Sequence, residues 1–176
     1  MSQRRIKTLS HRLSLLCGGL ILMIPVVCIL YWGMSSTEAI SRQFLGEPGA
    51  ILQLSGAQRR MAVVLTAIAV VPLGLALASL RQLLRLYAEG TIFDAQNVAA
   101  IGKIGKWLVW FGVAQFVDAT LIPLVLTLSN PPGHRILSIT LSMGVIEAVL
   151  LGAVMLVIAH VMDEARIIAD EQAQTV

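Results

Sequence analysis

Asp118 and Glu147 are carboxylates set inside apolar runs, and they are the residues of this chain whose type and setting could do chemistry. An ionised carboxylate at the centre of a bilayer costs at least about 2.5–3.5 kcal/mol, so such a group turns toward protein or water. There it takes a proton, a hydrogen bond or a cation. Asp118 lies twelve residues past Lys106 and Glu147 twelve past Arg135. At about 1.5 Å per helical residue, both are predicted near mid-membrane. Gln115 falls one turn before Asp118 as a hydrogen-bond partner, and Gly144 one turn before Glu147 opens space for a neighbouring helix. The pair therefore reads either as two hydrogen-bonded ties between helices or as a proton or cation site.

Other chemistry is poorly supplied. His11, His134 and His160 fall in an N-terminal arm, a turn and a helix end, and are not expected to converge on a metal. No G-x-S-x-G, H-E-x-x-H or phosphate-cradling loop occurs, so no catalytic residue, cofactor or metal site is expected. Cys17 and Cys28 share nearly one helix face, but eleven residues separate them by about 16 Å, too far for a disulfide. The basic residues lie between apolar runs rather than on one face, which argues against direct nucleic-acid binding.

The elements that must carry these residues are membrane helices. Of 176 residues, 57% are hydrophobic and 13% charged, where soluble domains run nearer about 25% charged. The expected fold is all-α: a single polytopic membrane domain over residues 1–176, built as a four-helix transmembrane bundle with a cytoplasmic helical hairpin. Spans are predicted at about 13–34, 61–80, 107–128 and 136–160, each long enough for a core of about 30 Å. Residues 35–60 form an outer loop, 81–106 an inner hairpin and 161–176 a cytoplasmic tail.

Local signals refine this plan. Ser35 with Glu38, and Ser55 with Gln58, have capping-box spacing, the first opening a short helix through Leu45. Pro25 and Pro72 sit mid-span and are expected to kink their helices. Tyr31 and Trp32 suit one lipid–water interface, Trp107 and Trp110 the other. Val98, Ile101, Ile104 and Leu108 recur at helical spacing, as an amphipathic lead-in lying on the inner interface would. Thr140, Gly144, Ala148 and Gly152 recur every four residues, a stripe that admits a close helix neighbour in the same chain or in a second copy.

The hairpin is the most specific stretch. Arg81, Arg85, Lys103 and Lys106 surround it, Gly90 stands where a helix needs a left-handed cap, and Asp94 is placed to N-cap the helix that contains Asn97. Of the thirteen Lys and Arg, nine fall on this side: Arg4, Arg5, Lys7, Arg12, Arg166 and the four of the hairpin. Arg42, Arg59, Arg60 and Arg135 fall on the other. That bias predicts both termini in the cytoplasm. The acidic tail, with Asp163, Glu164, Asp170 and Glu171, is expected to dock on the basic hairpin.

The segment LRQLLRLYAEGTIFDAQNVAAIGKIGK resembles the signature of the DUF2975 family of bacterial multi-span membrane proteins. Arg81, Arg85, Gly90, Ile92-Phe93, Asp94 and Asn97 carry the likeness, and the ending HVMDEARIIADEQAQTV is similar to the family's tail. The resemblance implies a bacterial inner-membrane protein with no assigned activity, often encoded beside a small helix-turn-helix regulator, and so a regulatory partnership. A small proton- or cation-linked transporter using Asp118 and Glu147 is the alternative expectation.

Overall fold

The structure is a computed structural model that describes residues 3–46, 53–90 and 94–174, with side chains for 10–46, 53–90 and 94–168. It is all helical: α1 (Gln3–Met34), α2 (Thr37–Leu45), α3 (Gly56–Glu89), α4 (Ala95–Leu126) and α5 (Met143–Gln174). All but α2 are long and apolar enough to cross a membrane.

The four long helices form an open antiparallel row. α1 packs on α3, α3 on α4 and α4 on α5. Among the described residues the backbone of α1 approaches neither α4 nor α5, and that of α3 does not approach α5. α4 is the central member, flanked on both sides, and its most apolar eighteen-residue stretch has a lower mean hydropathy than those of the other three, 1.7 against 2.7, 2.5 and 2.4. A helix shielded by protein on two faces tolerates polar groups that a lipid-facing helix does not. Apolar side chains such as Leu22, Ile68, Leu151 and Val157 point outward, as lipid-facing residues do.

Two cores hold the row. At the loop end, where α1 leads into α2, Trp32, Ile40, Ala62, Ile122 and Leu126 pack together with Phe44 beside them. Trp32 is 1% exposed and stacks on Phe44 at 5.4 Å between ring centroids. It is a core residue and not the interfacial aromatic that its place at a span end predicts, because α2 folds over it; Tyr31 keeps the partly exposed position. At the hairpin end, Leu83, Ala100, Ile101, Ile104 and Ala159 join α3, α4 and α5.

Capping sets the helix limits. Ser55 and Gln58 complete the expected box, with reciprocal bonds of 3.2 and 2.9 Å. Gln58 also donates to the Val125 carbonyl at 3.0 Å, tying the start of α3 to the end of α4. Arg59 donates to the Gly33 and Ser35 carbonyls and so closes the end of α1. α2 is capped by Ser36, one residue later than expected, its hydroxyl accepting from the Ala39 N–H. α1 and α3 continue through Pro25 and Pro72 as unbroken helices.

Two expected boundaries move. α4 is one helix from Ala95, so Ile101 and Ile104 extend the membrane helix and pack on α3 and α5 instead of forming a separate lead-in flat on the surface. The last long helix starts at Met143, not near Ile136. Residues 134–142 are irregular, held by Asn130 Nδ2 donating to the His134 carbonyl and by the Ile136 N–H donating to Thr127 Oγ1, both at 3.0 Å. These bonds give the backbone after Pro131-Pro132-Gly133 a route other than helix.

Candidate functional site

α4 places Asp118 in its loop-end half, eight residues before Leu126, facing α3. The side chain is buried at 9% exposure, and its Oδ1 accepts from Thr66 Oγ1 of α3 across a long 3.5 Å. Gln115, the partner expected from spacing, makes no bond to it; it lines the same cleft instead.

That cleft has a volume of about 430 Å³ and lies between α2, α4 and the segment entering α5. Gln43, Gln115, Asp118, Thr140 and Ser142 give it a polar lining, and Phe44, Phe111 and Val145 supply apolar wall. On another side Asp118 borders a nearly apolar cleft of about 360 Å³ between α3 and α4, which Trp107 and Trp110 also line. Asp118 thus stands where a polar cleft meets an apolar one.

Glu147 does not share the site. It lies one turn into α5 and is exposed, whereas Val145, Ala148, Gly152 and Ala159 form the buried face of that helix. Its predicted depth depended on a helix beginning near Ile136; with α5 starting at Met143, Glu147 belongs near a helix end. The two carboxylates make no contact, and Asp118 takes Thr66 as its partner. Thr66 gives a faint sequence signal, one of two hydroxyls, with Ser79, in a charge-free apolar run. Gln43 and Ser142 give none, since they reach the cleft only through the fold of α2 and the segment before α5.

The small-residue stripe is resolved within the chain. Gly152 meets Gly105 and Val109 of α4, and Gly112 of α4 meets Val145 and Val149 of α5. Thr140 precedes the helix and falls outside the stripe; Gly144 is open, with Ser142 Oγ the nearest atom at 3.9 Å from an added Cβ.

At the hairpin, Gly90 has φ 93° and caps α3, its N–H donating to the Leu86 and Tyr87 carbonyls. Asp94 has the extended backbone of an N-cap, and its carbonyl accepts from the Asn97 and Val98 N–H groups. Its carboxylate makes no cap bond, contrary to expectation. Asn97 is fully buried at the start of α4. Ile92 and Phe93 lie outside the described residues. The four cations differ in setting. The Arg81 guanidinium packs over Gly18 of α1, 3.4 Å from an added Cβ, and its buried Nε has no hydrogen-bond partner. Arg85, Lys103 and Lys106 are exposed.

No ion pair joins hairpin and tail among the described residues; Arg166 pairs with Asp163 of its own helix at 3.3 Å. The tail meets the hairpin through Met162, which packs against the apolar cluster of Ile101, Ile104 and Ala159. The side chains of Asp170, Glu171 and Val176 lie outside the described set. No group of three His, Cys, Asp or Glu that could hold a metal occurs among the described residues.

The family described as "protein of unknown function (DUF2975)" matches residues 6–176. No curated protein and no solved structure matches the chain.

Proposed function

The chain belongs to the DUF2975 family of proteins of unknown function, and on that basis we propose that it is a non-enzymatic regulatory protein of the bacterial inner membrane. Its termini and hairpin face the cytoplasm, and the hairpin end presents a docking surface to a small soluble helix-turn-helix regulator. The chain itself contacts no nucleic acid. One observation carries this reading. Leu83, Ile101 and Ile104 are packed inward, while Arg85, Lys103 and Lys106 stand exposed with no acidic partner among the described residues. A rigid helical end with unpaired cations suits an acidic soluble partner, whose on-rate such charges raise.

The test is pull-down of cytoplasmic proteins by the protein in nanodiscs, followed by titration with the purified helix-turn-helix regulator that it captures. The triple variant Arg85→Gln, Lys103→Gln, Lys106→Gln should lose most of the affinity, and the loss should shrink as salt rises. Binding that is absent in the wild type, or unchanged in the variant, removes the proposal. A carrier that uses Asp118 and Glu147 together draws no support from the geometry, since Glu147 stands apart and exposed. The stripe of small residues, used between α4 and α5, no longer argues for a second copy.

A further inference from the structure

We infer that the cleft beside Asp118 is a binding site for a small organic ammonium cation. The argument begins with charge. Asp118 is 9% exposed, receives one long hydrogen bond from Thr66, and no Lys, Arg or His lines the cleft. A carboxylate so placed has acceptor capacity left over, and a bound cation satisfies it.

The remaining lining fits the same ligand. Gln43, Gln115, Thr140 and Ser142 supply neutral oxygens around the carboxylate, suited to the several N–H donors of an ammonium head. Phe44 and Phe111 offer aromatic wall, to which cations are attracted. The volume of about 430 Å³ lies in the range of small-molecule sites and exceeds what a bare ion needs. No trio of metal-binding side chains is present among the described residues. The cleft also lies at the loop end, between α2 and the irregular segment before α5, where a water-borne ligand arrives without crossing the apolar middle of the row. Glu147 has no part in the site.

The experiment is calorimetric titration of the full chain in phosphatidylcholine nanodiscs with benzylammonium, using benzyl alcohol as the neutral analogue and empty discs as the blank. Saturable binding of benzylammonium and none of benzyl alcohol is expected. Asp118→Asn should weaken binding about tenfold or more, as loss of a charge-assisted hydrogen bond does. Gly144→Leu should weaken it as well, because that side chain enters open space in the cleft and leaves Asp118 in place. Glu147→Gln should change nothing. Should Asp118→Asn fail to fold, Gly144→Leu decides. Equal binding of benzyl alcohol, unaltered affinity in Gly144→Leu, or saturable sodium binding that benzylammonium does not displace would each overturn the assignment.

Discussion

Gly105 of α4 and Gly152 of α5 face each other so closely that a Cβ on either would lie 2.8 Å from the other's carbonyl oxygen. The two backbones touch there, and the neighbouring Gly112 takes the Val149 side chain in the same way. Close approach of this kind lets many weak dispersion contacts act where lipid removes the hydrophobic drive between helices.

Gly105→Ala and Gly152→Ala should each destabilise the protein by about 1–3 kcal/mol, the usual result of overpacking a filled contact. Gly144→Ala, on the same helix but in open space, should leave stability unchanged or raise it. Unfolding in mixed micelles, monitored by far-UV dichroism, separates the cases. Equal effects at Gly144 and Gly152 would mean that α4 and α5 do not pack this way.

Thr127 is fully buried and its hydroxyl acts twice, donating to the Pro123 carbonyl at 2.8 Å and accepting from the Ile136 N–H at 3.0 Å. Thr127→Val keeps the shape and removes both. About 1–3 kcal/mol should be lost, concentrated in residues 134–142, because the Ile136 N–H loses its acceptor. Hydrogen exchange at Ile136 should accelerate while exchange in the middle of α4 stays slow.

The tail helix is held to the hairpin by apolar packing, so charge should matter little there. Ile104→Ala, at a 6% exposed position, should speed tryptic cleavage at Arg166. Neutralising the exposed Lys103 and Lys106 should not, since exposed charges contribute about 0–1 kcal/mol. Faster cleavage in the lysine variant alone would restore an electrostatic dock.

Orientation is open to direct labelling. With Cys17 and Cys28 replaced, Ala39→Cys on α2 should react with an impermeant maleimide added to intact cells, and Ala95→Cys at the start of α4 only after lysis. Both positions are exposed, whereas Ser41 of α2 is 1% exposed and would report burial instead of sidedness. The reverse pattern would place the hairpin outside.

Helix existence was legible because length and apolarity decide it, and Gly90 and the Ser55–Gln58 box were legible because their physics is local. The errors share a cause in contacts between distant residues. Ile136 to Leu141 is apolar enough to extend a span, yet Thr127 and Asn130 hold the backbone of this stretch out of helix, and Glu147 moved with that boundary. Leu137, Ile139 and Leu141 alternate in sequence with Ser138, Thr140 and Ser142, a period of two that does not suit a helix. Nothing in the sequence neighbours of Trp32 reveals that α2 closes over it. Asp118 was found by its charge, but Thr66, fifty-two residues earlier, is its partner only through the pairing of α3 with α4.

The open row bears on how the protein is made. The backbone of each long helix packs against the long helices next to it in the chain, so the row can be built in the order of synthesis. α3 meets α1 already in the bilayer, α4 then meets α3, and α5 closes on α4 last, glycine against glycine. Contacts between successive elements carry little loop-closure cost and suit assembly in the order of synthesis. A chain cut after Leu126 and released into the bilayer should therefore have α1 to α4 already seated on one another, with Gly105 and Gly112 as the empty half of a contact awaiting its last helix.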